Sequence, residues 1–383
     1  MVLSTKRPEE SVMTTVTSNS INKEQLNFSI SRYSLLNNKG ELSEELPESI
    51  ADMKQALHAY KTMVLGRAFD KKAIALQRTG KLGTYPSILG QEAISTAIGV
   101  ALDEKDIFAP YYRDLTAQYL RGVSLKEMLL YWGGSEQGSN YQNCKKDFPV
   151  CIPIATQLSH AAGAAISLKV QGIHQAALVT CGDGATSKGD FLETLNLAGA
   201  WQLPLVMVVN NNQWAISTPR SVQCAAQTIA QKAIGAGIEG VVVDGNDYFA
   251  VLFAIKEALV KAYSGKGATL IEAVTYRLGD HTTADDADRY RDPKELKQAW
   301  KNEPIKRLQN YLLKHNLWNE DKERKLIELV ASEINESVQA YLDEPKQGPE
   351  SMFEFLYESI PENLYDQYAE AKYQRFQTEI DKM

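Results

Sequence analysis

The chain has 383 residues, 44% of them hydrophobic and 23% charged, enough apolar material for two or three ordinary domains or one large α/β unit. Forty-one basic against forty-eight acidic residues leave a net charge of −7 with no basic block, so the charge pattern offers nothing to nucleic acid or an anionic membrane surface, and proteins or small molecules are the expected partners. No apolar run reaches the roughly 18 residues of a membrane span, Glu9 and Glu10 break up anything resembling a leader, and four cysteines without a CxxC pair read as reduced thiols; the expected location is the cytoplasm.

Residues 1–48 are rich in Ser, Thr, Asn and Glu with sparse apolar positions, the composition of a flexible or extended arm. From Ile50 the pattern turns helical, with Met53, Leu57, Tyr60 and Val64 at three- and four-residue steps. "GKLGTYPSILGQEAISTAIGVAL" then predicts a Gly/Pro loop followed by a helix. Between about Asp106 and Gly279 the short apolar runs "AALVTC", "LPLVMVV", "GVVVDG" and "TLIEAVTYRL" alternate with helical stretches. Strands with so little polar alternation are covered on both faces, which predicts an α/β fold with a doubly wound parallel sheet. In "SHAAGAAISLK", Gly163 allows another backbone to approach closely, internal packing being the simpler use and a subunit contact the other; His160 reads as a partnered core residue. After Pro293 the chain is helical again, with stripes at Ile305, Leu308 and Leu312, then Ile327, Val330, Ile334, Val338 and Tyr341. The expected organisation is an arm over 1–48, an α/β domain with N-terminal helices over 49–292, and a helical region over 293–383.

In open parallel sheets, ligands bind beyond the carboxyl ends of the strands. Two polar clusters fall there: "GDGATSKGD" after one apolar run and Asn210–Asn212 after the next. The small residues Gly182, Gly184 and Ala185 let backbone amides approach an anion, and the helix that follows is expected to point its positive end at the same place. Asp183 adds a hard carboxylate oxygen and the asparagines add amide oxygens, the ligand mixture magnesium accepts beside phosphate. Singly, each motif is explained by a tight turn or a strand terminus. Together in one β-α-β unit, with 26 residues (185–210) between them, they predict a diphosphate–metal clamp. His281, in a Gly- and Asp-rich loop after "TLIEAVTYRL", falls on the same side of the sheet. The composition of that loop, His281–Arg291, suggests that it is mobile until a ligand orders it.

That spacing resembles the thiamine diphosphate motif. With "LGTYPSILGQEA", "YYRD", "IPIATQ", "NNQWAIST", "VDGND", "GDHTTADDADRYRD" and "FEFLYESIPENL", the resemblance extends from about Ala51 to the C-terminal helices: the chain resembles the alpha subunits of the two-subunit 2-oxo acid dehydrogenases, most closely the bacterial pyruvate dehydrogenases. The resemblance implies the thiamine diphosphate-binding fold. It also implies oxidative decarboxylation of pyruvate with reductive acetylation of a lipoyl group, in a heterotetramer of two alpha and two beta subunits docked on a dihydrolipoyl acyltransferase core. The glutamate that activates the cofactor belongs in this family to the beta subunit, so the chain is expected to be half an enzyme. By the same resemblance Asp183, Asn212 and the backbone carbonyl of Trp214, where relatives often carry Tyr, hold magnesium. Tyr112 and Arg113 bind the diphosphate together with the Gly182–Ala185 turn. The backbone of Ile154 touches the aminopyrimidine, and His281 reaches the diphosphate and assists transfer to the lipoyl group. Potassium is implied near Thr156 and Gln157, although Cys151 and Ile152 replace the serines of relatives with that site. Thr282 falls where mitochondrial relatives carry a phosphorylated serine. A branched-chain 2-oxo acid or acetoin enzyme is the alternative within the family. Outside it, a non-catalytic phosphate-binding subunit is a remote reading, and a magnesium-dependent phosphatase would need a DxDx[TV] string that the chain lacks.

Overall fold

The computed structural model describes residues 27–345, 347–354 and 356–380, so the first 26 residues of the expected arm lie outside it. Its strands are β1 (Ser31–Tyr33), β2 (Ile107–Ala109), β3 (Ala177–Gly182), β4 (Leu205–Asn211), a small hairpin of β5 (Trp214–Ala215) and β6 (Thr218–Pro219), β7 (Glu239–Asp244) and β8 (Thr269–Val274). Six of them form one wholly parallel sheet in the order β1-β7-β8-β4-β3-β2. The chain winds from β2 through β3 to β4, steps past one place to β7, and returns to fill the gap with β8. This is the reversal of winding that opens a crevice at the strand ends.

The helices along the first half are α1 (Met53–Arg78), α2 (Glu92–Ala101), α3 (Leu115–Arg121), α4 (Leu125–Trp132), α5 (Thr156–Val170) and α6 (Gly189–Ala200). Local signals start them. Asp52 accepts from Lys54 N at 2.8 Å ahead of α1, and Ser124 and Glu127 close a reciprocal capping box on α4. Because side chains alternate along a strand, each apolar run feeds two cores. Leu178, Val206, Val208, Val243 and Ile271 pack with α1, α2 and the helix Tyr248–Tyr263. Val179, Cys181, Met207, Val209 and Leu270 pack with α5 and α6 on the other face.

Three expectations change in the packed molecule. Gly163 on α5 has nothing within 4 Å of where a Cβ would stand, so it serves no internal close approach, and His160 is exposed, stacked on Phe148 with centroids 6.0 Å apart. In the helix Glu320–Leu342, Ile327 is 55% exposed and Leu326 takes its place, since Leu326, Val330, Ile334 and Val338 make one four-residue row facing inward. The described part of the arm adds an edge strand: Ser31–Tyr33 pairs with Val241–Val243, and the backbone amides of Leu35 and Leu36 both donate to the buried Asp247 carboxylate at 2.6 Å. Among the described residues, no helix is long and apolar enough to cross a membrane.

Candidate active site

The register of the sheet sets Gly182 opposite Asn210 and Asn210 opposite Ala273, so the ends of β3, β4 and β8 lie side by side. A cleft of about 200 Å³ opens above them. All ten residues expected to bind a cofactor border it: Tyr112, Arg113, Ile154, Gly182, Asp183, Gly184, Ala185, Asn212, Trp214 and His281. Gln157 borders it as well; Thr156 does not. Tyr111, Cys151, Ala155, Ala215 and Ile216 complete the wall, and sequence reasoning did not assign them to it. Ala155 and Ile216 hold left-handed backbone conformations, φ 72° and 55°. For a β-branched residue such as Ile216 that is strained, and no residue type in "AIST" signals it.

The turn after β3 differs from a simple strand-to-helix corner. Asp183–Ser187 form a 3₁₀ turn, closed by Thr186 Oγ1 donating to Asp183 O at 2.8 Å, and α6 begins only at Gly189. The amides that border the cleft therefore belong to the turn, one step ahead of the end of α6. A Cβ on Gly182 would meet nothing closer than Tyr111 at 4.0 Å, leaving backbone open to the cleft; one on Gly184 would stand 2.7 Å from Ala215 Cβ, so seating the turn against β5 requires glycine.

Oxygen donors converge at these strand ends. Asp183 is 3% exposed, and the side-chain donor it meets is Gln223 Nε2 at 3.1 Å. Burial pushes its pKa up to about 6, only partly offset by hydrogen bonds and the more distant guanidinium charges of Arg277 and Arg113. Asn212 Oδ1 accepts from Trp214 N at 3.1 Å, and the Trp214 carbonyl accepts from Arg277 Nη1 at 3.3 Å. Among the described residues no three His, Cys, Asp or Glu side chains converge, so a metal here would take a mixed oxygen set, which suits magnesium better than zinc. A buried carboxylate without a contacting cation fits such an ion.

Arg113 is 1% exposed and meets no carboxylate among the described residues. Its Nη1 donates to Ser87 O, and its Nη2 donates to His281 O at 2.7 Å and to His281 Nδ1 at 3.0 Å. The neighbouring Asp114 is instead bonded to Tyr111 N at 3.0 Å and to the Thr180 hydroxyl, and burial lifts its pKa to about 7. Burial first, then the charges of Arg113 and Arg277, hold His281 down at about 4. The ring is neutral near pH 7, and because Nδ1 accepts from Arg113, Nε2 carries the proton.

The loop carrying His281 is held by hydrogen bonds among its polar groups. Asp285 Oδ2 accepts from His281 N at 2.7 Å and from Tyr290 Oη at 2.5 Å. Arg277 Nη2 donates to the same Tyr290 Oη at 2.5 Å, Arg291 Nη1 donates to Arg277 O at 2.6 Å, and Thr283 N donates to Tyr85 O at 2.9 Å. Polar side chains from the loop itself replace the apolar packing it lacks.

The dehydrogenase E1 component family matches residues 60–350 of this chain. Proteins named pyruvate dehydrogenase E1 component subunit alpha, from Staphylococcus aureus and Staphylococcus epidermidis, are each 40% identical to it over 328 residues, covering 85% of this chain and 88% of theirs.

Proposed function

Since the chain belongs to the dehydrogenase E1 component family, we propose that it is the alpha subunit of a pyruvate dehydrogenase. With a beta subunit it decarboxylates pyruvate oxidatively and passes the acetyl group to a lipoyl domain of a dihydrolipoyl acyltransferase core. The observation that carries this reading is the meeting of all ten expected cofactor-binding residues around one cleft. When bound, thiamine diphosphate would supply the electron sink for loss of carbon dioxide and the carrier for the remaining acyl equivalent.

The chain's own residues anchor and orient. Asp183, Asn212 and the Trp214 carbonyl would hold magnesium, which would supply positive charge beside the diphosphate. The amides of the Gly182–Ala185 turn and the buried, carboxylate-free Arg113 take phosphate oxygens. His281, kept neutral, offers Nε2–H to an anionic oxygen, and Arg113 on Nδ1 fixes that tautomer. Potassium beside Thr156 and Gln157 belongs to the same proposal; it is supported by Gln157 Oε1, which is buried without a hydrogen-bond partner among the described residues. Partner binding is supported by Ile152, Ile154 and Ile216, apolar side chains 44–56% exposed at and beside the cleft.

The test is carbon dioxide release by the enzyme assembled with its beta subunit, from pyruvate and from 3-methyl-2-oxobutanoate. Faster turnover of pyruvate is expected. A preference for the branched substrate would move the assignment to a branched-chain enzyme.

A further inference from the structure

Beneath the cleft, hydrogen bonds among four side chains converge from two sides on Gln91 Oε1. The backbone N–H of Trp214 can only donate, so the atom it meets at 3.1 Å is Asn212 Oδ1. The other end of that amide, Nδ2, then points away and donates to Gln91 Oε1 at 2.9 Å. Gln91 presents oxygen there because Asn212 Nδ2 can only donate; Tyr111 Oη, 2.6 Å from Asn210 Nδ2, directs its proton to the same Gln91 Oε1 at 3.5 Å. Gln91 is wholly buried and does not itself border the cleft. It stands at the N-cap of α2 without using its side chain to cap the helix, and its Nε2 finds no partner among the described residues. A buried donor is left unsatisfied while the oxygen takes two donors.

We infer that Gln91 is the positioning residue that fixes which end of the Asn212 amide is available to a cation, an inference that rests on Asn212 being a magnesium ligand. An amide oxygen has a second lone pair to give once Trp214 N–H has taken the first, whereas a rotated amide would present NH₂, which repels a cation. Gln91 locks the useful orientation from the far side, as an outer partner orients a metal ligand elsewhere.

The test uses the enzyme assembled with its beta subunit, stripped of metal and titrated with magnesium at saturating thiamine diphosphate, with binding read by calorimetry and turnover measured separately. Gln91→Met keeps length and loses the acceptor; it should raise the magnesium dissociation constant about tenfold, the low end for loss of an outer-shell partner, and leave kcat at saturating metal within about twofold. Gln91→Glu keeps an oxygen for Asn212 Nδ2 and Tyr111 Oη and should restore affinity to within about threefold of wild type. Metal-free melting of each variant separates a folding defect from a binding defect. Should Gln91→Met fail to assemble, Tyr111→Phe, which removes the proton aimed at Gln91 Oε1, should weaken magnesium about threefold. Wild-type affinity in the variant measured, equal losses in Met and Glu, or a fall in kcat at unchanged affinity would overturn the inference. A wild-type enzyme that takes up no magnesium with the cofactor would overturn the proposed function instead.

Discussion

Asp70 on α1 is buried with only neutral partners: Tyr85 Oη at 2.8 Å, the Ser87 hydroxyl, and Ile88 N at 3.1 Å, and burial pushes its pKa up to about 6. The folded value lies above the roughly 4 of an unfolded aspartate, so the stabilising share is complete below about pH 4 and is lost as pH rises through about 6. Between pH 4 and 7 wild type should therefore lose on the order of 2 to 3 kcal/mol of stability relative to Asp70→Asn, read from urea melts; parallel pH profiles would contradict the assignment. His281 makes the opposite case, with its pKa held at about 4. Histidine ¹⁵N spectra should show one ring neutral down to about pH 5, its signal identified by loss in His281→Gln, and a midpoint near the ordinary value of about 6.5 would count against the burial argument. If Asp183 holds magnesium as proposed, Asp183→Ala should weaken cofactor binding about 100-fold or more, measured calorimetrically on the assembled enzyme. That Asp183 and Asn212 stand at two adjacent strand ends was legible in the sequence, because polar residues close two successive apolar runs. Gln91 and Ile216 were not: one acts through a contact 121 residues away in the chain, and the other through a backbone angle no residue type announces.

The elements follow the apolar pattern closely where a run has one reading and drift where it has two. The four predicted strands needed no correction of kind, since short apolar runs bounded by Gly, Pro and Asn permit little else. The helix Glu320–Leu342 drifted by one position because Leu326 and Ile327 are adjacent and either can start a row, and only packing against α1 and α4 decides between them. In the His281–Arg291 loop the sequence left the contacts unread for a different reason. Composition counts apolar residues and cannot see that Asp285, Tyr290 and Arg277 meet one another. Tyr290 Oη is the shared atom of that network, so Tyr290→Phe should loosen the loop and speed tryptic cleavage after Arg289, whose side chain is 82% exposed, by several-fold. Unchanged cleavage would mean that Arg291 and Thr283 hold the loop without it.

At the scale of the whole molecule the chain holds one doubly wound sheet and, among the described residues, no second one. No acidic residue of the cleft other than Asp183 is placed to activate a cofactor, and Asp183 is committed to metal in the proposed reading. The purified chain should fold yet show negligible pyruvate decarboxylation with an artificial acceptor, and adding the beta subunit should restore turnover and tighten cofactor binding together, because a cofactor bridging both subunits stabilises their assembly by mass action. Robust turnover by the chain alone, with contamination excluded by mass spectrometry, would overturn the half-site reading. The sheet also carries a consequence for how the chain is made. Its edge strand β1 pairs with Val241–Val243, and the adjoining Leu35 is anchored to Asp247 across 212 residues of sequence. A ribosome adding about 5 to 20 residues per second needs on the order of 10 to 40 seconds to cover that distance. For that interval β1 has no partner to pair with, so a strand made well before β7 is set in place only after it.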